Sequence, residues 1–216
     1  AIIVRNKNSI FKEELISLDF DLLNESYMYL HFTFFPMSQR NRVITACRKL
    51  TWPIEVPREE YEGKPEKDPF MNEFYSGNNP IFAVFDTSIG KLVKRFGKLE
   101  ESQRKSRTGY YFLSPVVDCY KSDIVYGNGY SGKLYLARQN KLNEIEKKIT
   151  VFEIDTVSFP SLDETKFHNL EHARVYDKFF NRTIESVILT SEYIHCLIKT
   201  ESPDVKERMD RYEYIC

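Results

Sequence analysis

The sequence has no long hydrophobic run, no closely spaced cysteines and no excess of one charge. No apolar stretch approaches the roughly 20 residues that a helix needs to cross a bilayer, and the first residues do not resemble a signal peptide. We therefore expect an intracellular protein, in the cytoplasm or the nucleus, without a membrane partner. The 31 basic and 32 acidic side chains leave a formal net charge of -1. No overall field then attracts the chain to nucleic acid, so any such contact needs a local patch.

The four cysteines lie far apart in the sequence, at Cys47, Cys119, Cys196 and Cys216, and no two of them form a C-x-x-C pair. This spacing argues against a structural zinc site and against a disulfide framework, both of which use characteristic cysteine spacings. We therefore expect reduced thiols that are mostly buried in the core.

Hydrophobic residues make up 42% of the 216 positions, enough to bury one substantial core, so we expect a single globular domain over 1–216. Residues 81–85 (IFAVF) form a continuous apolar run between turn residues, which predicts a central strand covered on both faces. The glycines of 127–132 (GNGYSG) predict a tight turn. Further strands are predicted within 20–35 and at 92–96, 110–117, 124–126, 133–137, 184–189 and 193–198.

The sequence also predicts three helices from apolar spacing and capping signals. The first is capped by Ser38 and covers 38–50, the second covers 141–148, and the third covers 161–180 from an S-x-x-E capping box. Residues 53–80 contain five prolines and are predicted to form a long surface excursion. Residues 100–107 are almost entirely polar and are predicted to form a solvated loop.

Two carboxylates lie within the apolar segment 147–160 (KKITVFEIDTVSFP). If this segment is a strand, Glu153 and Asp155 point to the same face as its apolar side chains, about 7 Å apart. Carboxyl groups at that separation can share one or two magnesium or manganese ions, which generate a hydroxide and stabilise charge on a scissile phosphate. Lys199, on a neighbouring predicted strand, is then the candidate to steady the water or the transition state. The alternative is an edge strand whose acids face solvent.

A second pattern, His168-x-x-Glu171-His172, fits the H-x-x-E-H helix of inverted zinc metallopeptidases. Two imidazoles at i and i+4 share one helix face and can hold zinc, while the glutamate activates a water. The chain shows no convincing third ligand, and two of its four histidines fall at this spacing readily by chance. A zinc hydrolase is therefore the less favoured alternative.

Four segments, in this order along the chain, resemble the DXO family of RNA 5′-end decapping exoribonucleases: 81–96 (IFAVFDTSIGKLVKRF), 131–141 (SGKLYLARQNK), 149–155 (ITVFEID) and 193–202 (YIHCLIKTES). In that family a glutamate-x-aspartate pair and a glutamate-x-lysine followed by threonine converge on divalent metal ions. Glu153 and Asp155 match the acid pair, and Lys199 matches the lysine. Leu197 stands where the family has a metal-binding glutamate. In another registration Glu153 belongs to an earlier strand motif, and the acid pair falls near Glu213.

The resemblance implies an α+β fold, with a mixed β-sheet core, flanking helices and a cleft for a capped or triphosphorylated RNA end. It implies a metal-dependent RNA 5′-end hydrolase or nuclease, in which Glu153 and Asp155 hold magnesium or manganese and Lys199 completes the catalytic set. Because Leu197 replaces one carboxylate, an inactive form that only binds RNA ends or a protein is a variant of this prediction. Basic side chains available to hold phosphates are Lys91, Lys94, Arg95, Arg104 and Arg107.

The competing prediction is a non-catalytic protein-interaction domain. Its support is the excursion at 53–80 and the aromatic content, 14% of all residues, which together offer contact surface without chemistry. For the basic residues, the corresponding structural interpretation is an ordinary solvated surface. The two predictions differ in a testable way, because only the nuclease requires divalent metal ions.

Overall fold

Antiparallel strands account for most of the regular structure. The computed structural model describes residues 2–5, 13–16, 28–49, 62–65, 71–75, 80–105, 114–153, 182–200 and 211–215. Within these ranges it contains thirteen strands, two short α-helices and one 3-10 turn. The strands form one two-stranded hairpin, two four-stranded sheets and one three-stranded sheet, and all their pairings are antiparallel.

Each sheet consists of strands that are consecutive in sequence. The hairpin contains β1 (Ile2–Arg5) and β2 (Glu13–Ile16). The first sheet contains β3 (Met28–Pro36), β4 (Arg42–Lys49), β5 (Phe82–Asp86) and β6 (Lys91–Phe96). The second sheet contains β7 (Pro115–Tyr120), β8 (Asp123–Asn128), β9 (Lys133–Arg138) and β10 (Ile145–Thr150). The third sheet contains β11 (Arg182–Leu189), β12 (Ile194–Thr200) and β13 (Arg211–Ile215).

The helical segments are short and lie between strands. Helix α1 (Asn72–Tyr75) precedes β5, and helix α2 (Glu101–Lys105) follows β6. The 3-10 turn (Gly129–Ser131) joins β8 to β9 and ends at Gly132, whose φ of 64° places it in the left-handed region that glycine adopts without strain. This confirms the tight turn that the glycines predicted.

The second sheet is apolar on both faces, and this sets the layering of the molecule. Successive side chains of a strand alternate between faces, so Val117 and Ile124 point to one side while Val116 and Val125 point to the other. All four side chains are buried. An apolar face must pack against another element, and here the first and third sheets cover the two faces of the second.

Two hydrophobic cores result from this arrangement. The first core lies between the first and second sheets and contains Ile44, Ala46, Phe74, Tyr75, Ile81, Phe82, Val84, Phe96, Leu99, Val117, Ile124, Tyr126, Ala137 and Leu142. The second core lies between the second and third sheets and contains Val116, Val125, Leu134, Phe152, Ile184, Val187, Leu189, Cys196 and Ile198. The three sheets therefore form a stack in the order of the sequence.

The first strands of the three sheets lie on the same side of this stack. Strand β7 contacts β3 on one side and β11 on the other. A hydrogen bond fixes the second of these contacts, because the Leu189 backbone N–H donates to Asp118 Oδ2 at 2.7 Å. Consecutive antiparallel meanders that stack face to face around their first strands are the arrangement of neighbouring blades in a β-propeller.

The connections between strands divide the stack into two ends. At one end, which we call the turn end, short connections join the strands: 37–41, 87–90, 121–122, 139–144 and 190–193. At the opposite end, which we call the loop end, lie the strand ends that flank the other connections: 50–81, 97–114, 129–132, 151–181 and 201–210. This division follows from the meanders, since successive antiparallel strands turn at alternate ends of a sheet.

A buried glutamine joins the first two sheets at the turn end. The Ser38 backbone N–H, between β3 and β4, donates to Gln139 Oε1 at 2.9 Å. Gln139 Nε2 donates to the carbonyl oxygens of Lys121 and Asp123 at 2.9 and 3.0 Å. Three separate turns are thereby held by one side chain, whose polar groups are satisfied despite their burial.

The predicted α+β fold with a mixed sheet and flanking helices is wrong, because the described residues form antiparallel sheets that cover one another. The helix predicted over 38–50 is strand β4, in which Ile44 and Ala46 alternate into the first core. The helix predicted over 141–148 is a turn followed by β10, which pairs with β9. The helix predicted over 161–180 lies outside the described residues.

Two predicted irregular segments also differ from the structure. Residues predicted as a loop after position 100 include α2, in which Lys105 forms an i,i+4 ion pair with Glu101 at 2.7 Å. The excursion predicted over 53–80 includes α1, whose Phe74 and Tyr75 are buried in the first core. Part of this proline-rich connection is therefore core, not surface.

Candidate functional site

Glu153, the first residue of the predicted acid pair, is exposed at the loop end. Strand β10 ends at Thr150, and the next two backbone N–H groups, of Val151 and Phe152, both point to the carbonyl oxygen of Gly132 at 2.8 and 3.4 Å. The resulting bend buries Phe152 and turns Glu153 toward solvent. The prediction of an acid within a continuous apolar stripe is wrong at this residue, and Asp155 lies outside the described residues.

Lys199 lies near the loop end of β12, where it is opposite Thr183 of β11 and Tyr212 of β13. The structure thus places Glu153 and Lys199 at the same end of the stack, on different sheets. Leu197, which replaces the family carboxylate, is opposite Ser186 in the same sheet and is partly exposed.

Neither predicted metal site lies completely within the part of the chain that the structure describes. His168, Glu171 and His172 lie outside it, as does Asp155. Among the described residues, no group of three or more histidine, cysteine, aspartate or glutamate side chains is arranged to hold a metal ion.

Three of the predicted phosphate-binding residues lie on one strand. Lys91, Lys94 and Arg95 all belong to β6, the outermost strand of the first sheet. Arg104 belongs to α2, and Arg107 lies outside the described residues. Charged side chains on an edge strand discourage pairing with other chains, so β6 has a structural reason to be basic as well.

A groove of about 350 Å³ lies between the segment that follows β6 and the outer part of the second sheet. We call it the edge groove; it is lined by Gly97, Lys98, Leu99, Glu100, Glu101, Tyr126, Tyr135, Asn143 and Ile145. Its volume is within the range of small-ligand and peptide pockets. The sequence did not indicate this groove, since one wall is the segment after β6, the other is the second sheet, and the two carry no shared motif.

Opposite charges meet beside the groove. Glu100 is mostly buried, and its Oε2 lies 3.4 Å from Lys148 Nζ and 3.8 Å from Lys133 Nζ. Lys148 Nζ also lies 5.5 Å from the centroid of the Tyr135 ring, within the range of a cation–π contact. One carboxylate thus connects the segment after β6 to strands β9 and β10, and the groove offers an aromatic floor with charges of both signs.

Three wholly or partly buried titratable groups, Tyr126 and Cys119 at the first core and Cys196 in the second core, are unsuited to acid–base or nucleophilic chemistry at neutral pH. Burial raises the pKa of Tyr126 to about 12, and its hydroxyl donates to the Leu142 carbonyl oxygen at 3.3 Å. Burial, with a contribution from Asp118, raises the pKa of Cys119 to about 12. Burial also raises the pKa of Cys196. Both cysteines are free thiols, as predicted, but a thiol of raised pKa is a poor nucleophile.

In the residues that the structure describes, no helix has the length and apolar character that crossing a bilayer demands.

The candidate site that emerges from the geometry is the edge groove, with its tyrosine floor and its mixed charges. No protein-family model and no curated protein sequence matches this chain.

Proposed function

We propose that this chain is a non-catalytic protein-interaction scaffold that binds a segment of a partner protein in the edge groove. The groove itself is the main support for this proposal, because it combines apolar and aromatic walls with charged groups at its rim. Protein interfaces have this anatomy, an apolar centre surrounded by polar groups. The stacked sheets provide a rigid support for such a site, as the blades of propeller folds do.

The groove also suggests what the partner segment contributes. Ile145 is 52% exposed although it is a large apolar residue at the groove wall. Together with the partly exposed Tyr135 it offers a contact for an apolar side chain of the partner. Lys98 and Glu101 at the rim are exposed and can pair with charged residues on either side of that anchor.

A matched pair of isoleucine substitutions tests this proposal. Ile145→Asp places a charge in the groove, whereas Ile89→Asp places one at the turn end, where Ile89 is 64% exposed. After cross-linking in cells, the wild type and both variants are purified and their bound proteins are quantified by mass spectrometry. We expect a partner that is lost with Ile145→Asp and retained with Ile89→Asp. Equal recovery with both variants, or equal loss, would exclude the groove.

RNA 5′-end binding or processing is the second candidate, and the basic edge strand favours it. Lys91 and Lys94 lie on one face of β6, Arg95 lies on the other, and Lys98 follows the strand toward the loop end. Lysine and arginine side chains along one track are the residues that hold a phosphate backbone. Glu153 and Lys199, the described residues of the proposed catalytic set, also lie at the loop end, on different sheets.

Incubation with 5′-triphosphate, monophosphate and capped RNA tests this second candidate directly. Each RNA is supplied with magnesium or manganese, and wild type is compared with Glu153→Ala, Asp155→Ala and Lys199→Ala. Hydrolysis that all three substitutions abolish would support the nuclease. Binding without hydrolysis that Lys91→Glu and Lys94→Glu weaken would support an inactive RNA-binding form, and no binding to any RNA would exclude both.

A further inference from the structure

The charges around the edge groove are unbalanced, although the chain as a whole is nearly neutral. Two carboxylates line the groove and a third directly precedes Ile145 of its wall. Each of the three already has a lysine partner within the chain. The pairs are Glu100 with Lys133 and Lys148, Glu101 with Lys105 at 2.7 Å, and Glu144 with Lys141 at 2.8 Å. The negative charges at the groove are therefore balanced by the protein itself.

Two further lysines beside the groove are not balanced in this way. Lys98 lines the groove and is exposed. Lys94 pairs with Val84, which belongs to the first core, so its side chain lies on the face of β6 that points toward the second sheet. Among the described residues, no carboxylate lies within ion-pair distance of either ammonium group. The groove thus carries an excess of positive charge.

Both lysines border the same wall of the groove. Each is two residues from Phe96, a span of at most about 7 Å along the chain. The Phe96 ring meets the groove residue Tyr126 edge-on, with ring centroids 5.0 Å apart. The opposite wall presents Tyr135 and the exposed Ile145. A ligand in the groove therefore meets two positive charges on one side and apolar surface on the other.

We infer that the partner segment bound in the edge groove is acidic. Its carboxylates pair with Lys94 and Lys98, and an apolar side chain between them contacts Ile145 and Tyr135. This inference rests on the function proposed above and adds the charge of the partner to it. Complementary charges determine which partner binds and how fast it associates more than they determine the affinity.

An acidic peptide fits this groove better than a nucleic acid does. A nucleic acid carries a phosphate at every nucleotide, so its backbone brings negative charge close to Glu100 and Glu101 as well as to the lysines. A peptide can place its carboxylates opposite the lysines and neutral side chains opposite the glutamates. The exposed Ile145 also favours a peptide, because bases stack on aromatic side chains and not on aliphatic ones.

Binding of peptides of defined composition to the full 216-residue chain tests this inference. Three mixtures of short fluorescein-labelled peptides share a central leucine flanked by serine and glycine. The first mixture adds aspartate and glutamate at the flanking positions, the second adds lysine and arginine, and the third adds asparagine. Fluorescence anisotropy in about 0.1 M NaCl should show that the acidic mixture binds at least about tenfold more tightly than the other two. In about 1 M NaCl this preference should largely disappear, because the screening length falls from about 10 Å to about 3 Å.

Reversing the charge of the two lysines is the most direct comparison. The double variant Lys94→Glu, Lys98→Glu should lose the preference for the acidic mixture and bind the basic mixture instead. Lys147→Glu is the matched control, because Lys147 pairs with Leu136, which packs against the second core. The same change of charge then lies on the face of β10 that points away from the groove and should leave the preference unchanged. Circular dichroism establishes that each variant is folded.

Failure of this inference can be told apart from failure of the proposed function. If the neutral or basic mixture binds as tightly as the acidic one and Ile145→Asp abolishes that binding, the acidic preference is overturned and groove binding remains. If no mixture binds, or if Ile145→Asp weakens no binding, both are overturned. A labelled single-stranded RNA that binds more tightly than the acidic mixture, and that the double variant releases, would overturn the inference in favour of the RNA candidate.

Discussion

The two cores on either side of the second sheet are built from different residues. The first core is aromatic: the Phe82 and Phe96 rings stack at 5.2 Å, and Tyr126 meets both of them edge-on at 5.8 and 5.0 Å. The second core is mainly aliphatic, with Leu134 and Ile184 fully buried at its centre. The same sheet thus packs against rings on one face and against branched chains on the other.

The difference reflects where each core gets its side chains. Strands and one following segment supply the second core, whereas the first core also receives Phe74 and Tyr75 from α1, within the long connection between β4 and β5. The comparison teaches that a proline-rich connection can supply side chains to a core, as Phe74 and Tyr75 do in the first core.

Removing one ring from the first core should produce the largest loss of stability. Phe82 is fully buried and contacts two other rings, so Phe82→Ala is expected to lower the free energy of unfolding by about 3–5 kcal/mol. Ile184→Val in the second core removes one methylene and should cost about 1 kcal/mol. Urea denaturation at equilibrium measures both values. Similar losses in the free energy of unfolding for the two variants would mean that the Phe82 ring contributes no more to stability than one methylene group of Ile184.

The next largest effect is expected at the edge of the second core, where Gly132 packs against Phe152. A Cβ at Gly132 would lie 2.3 Å from the Phe152 carbonyl oxygen, and φ is already +64°. Gly132→Ala should therefore cost about 2–4 kcal/mol, from left-handed strain together with the clash.

Gly63 provides the matched control for this substitution. Its φ is +72°, but a Cβ there would meet no atom within 4 Å. Gly63→Ala should show the cost of backbone strain alone, about 1–2 kcal/mol. Thermal or urea unfolding that gives equal values for the two alanine variants would show that the contact with Phe152 is unimportant.

The strands were largely predictable, because their signal is local. Residues 81–85 are apolar at every position, and β5 is covered on both faces as expected. The hairpin of β11 and β12 and the strands β8 and β9 were also predicted, and all are confirmed. An apolar run between turn residues predicts a buried strand, because few other structures fit such a sequence.

The wrong helices show the limit of short patterns. Val43 and Cys47 are four residues apart, which fits a helix, but Ile44 and Ala46 between them both belong to the first core while Thr45 does not, which is the alternation of a strand. For Glu153 the error was the length of the strand, since β10 ends at Thr150 and the bend after it buries Phe152 and exposes Glu153. The stacking of the sheets and the edge groove could not be predicted, because both depend on contacts between segments far apart in sequence.

A smaller effect is expected from the glutamine that joins the first two sheets at the turn end. Gln139→Ala removes the hydrogen bonds to Ser38, Lys121 and Asp123 and should cost about 2 kcal/mol. Asn140→Ala, at the exposed neighbouring position, is the control and should change stability by less than about 0.5 kcal/mol. If denaturant unfolding gives the same midpoint for both variants, the glutamine does not hold the turns together.

The smallest effect at neutral pH, and the one most specific to the first core, concerns Tyr126. Its pKa is raised by burial from 10.0 to about 12, so the folded protein holds the phenol proton more tightly than the unfolded chain does. This group leaves stability unchanged below about pH 10 and lowers it as the pH rises toward 12. Tyr126→Phe should cost about 1 kcal/mol at about pH 8, through the lost hydrogen bond to Leu142, but should reduce the further loss at about pH 11.

Tyr120→Phe, at a tyrosine that packs against the second core, is the control for that experiment. Urea denaturation of the wild type and both variants at the two pH values gives the loss of stability between them. A smaller loss in Tyr126→Phe than in the wild type and in Tyr120→Phe would assign the alkaline sensitivity to the first core. An equal loss in all three proteins would show that the pKa of Tyr126 is the same in the folded and the unfolded protein. The alkaline loss of stability could then not be assigned to the first core.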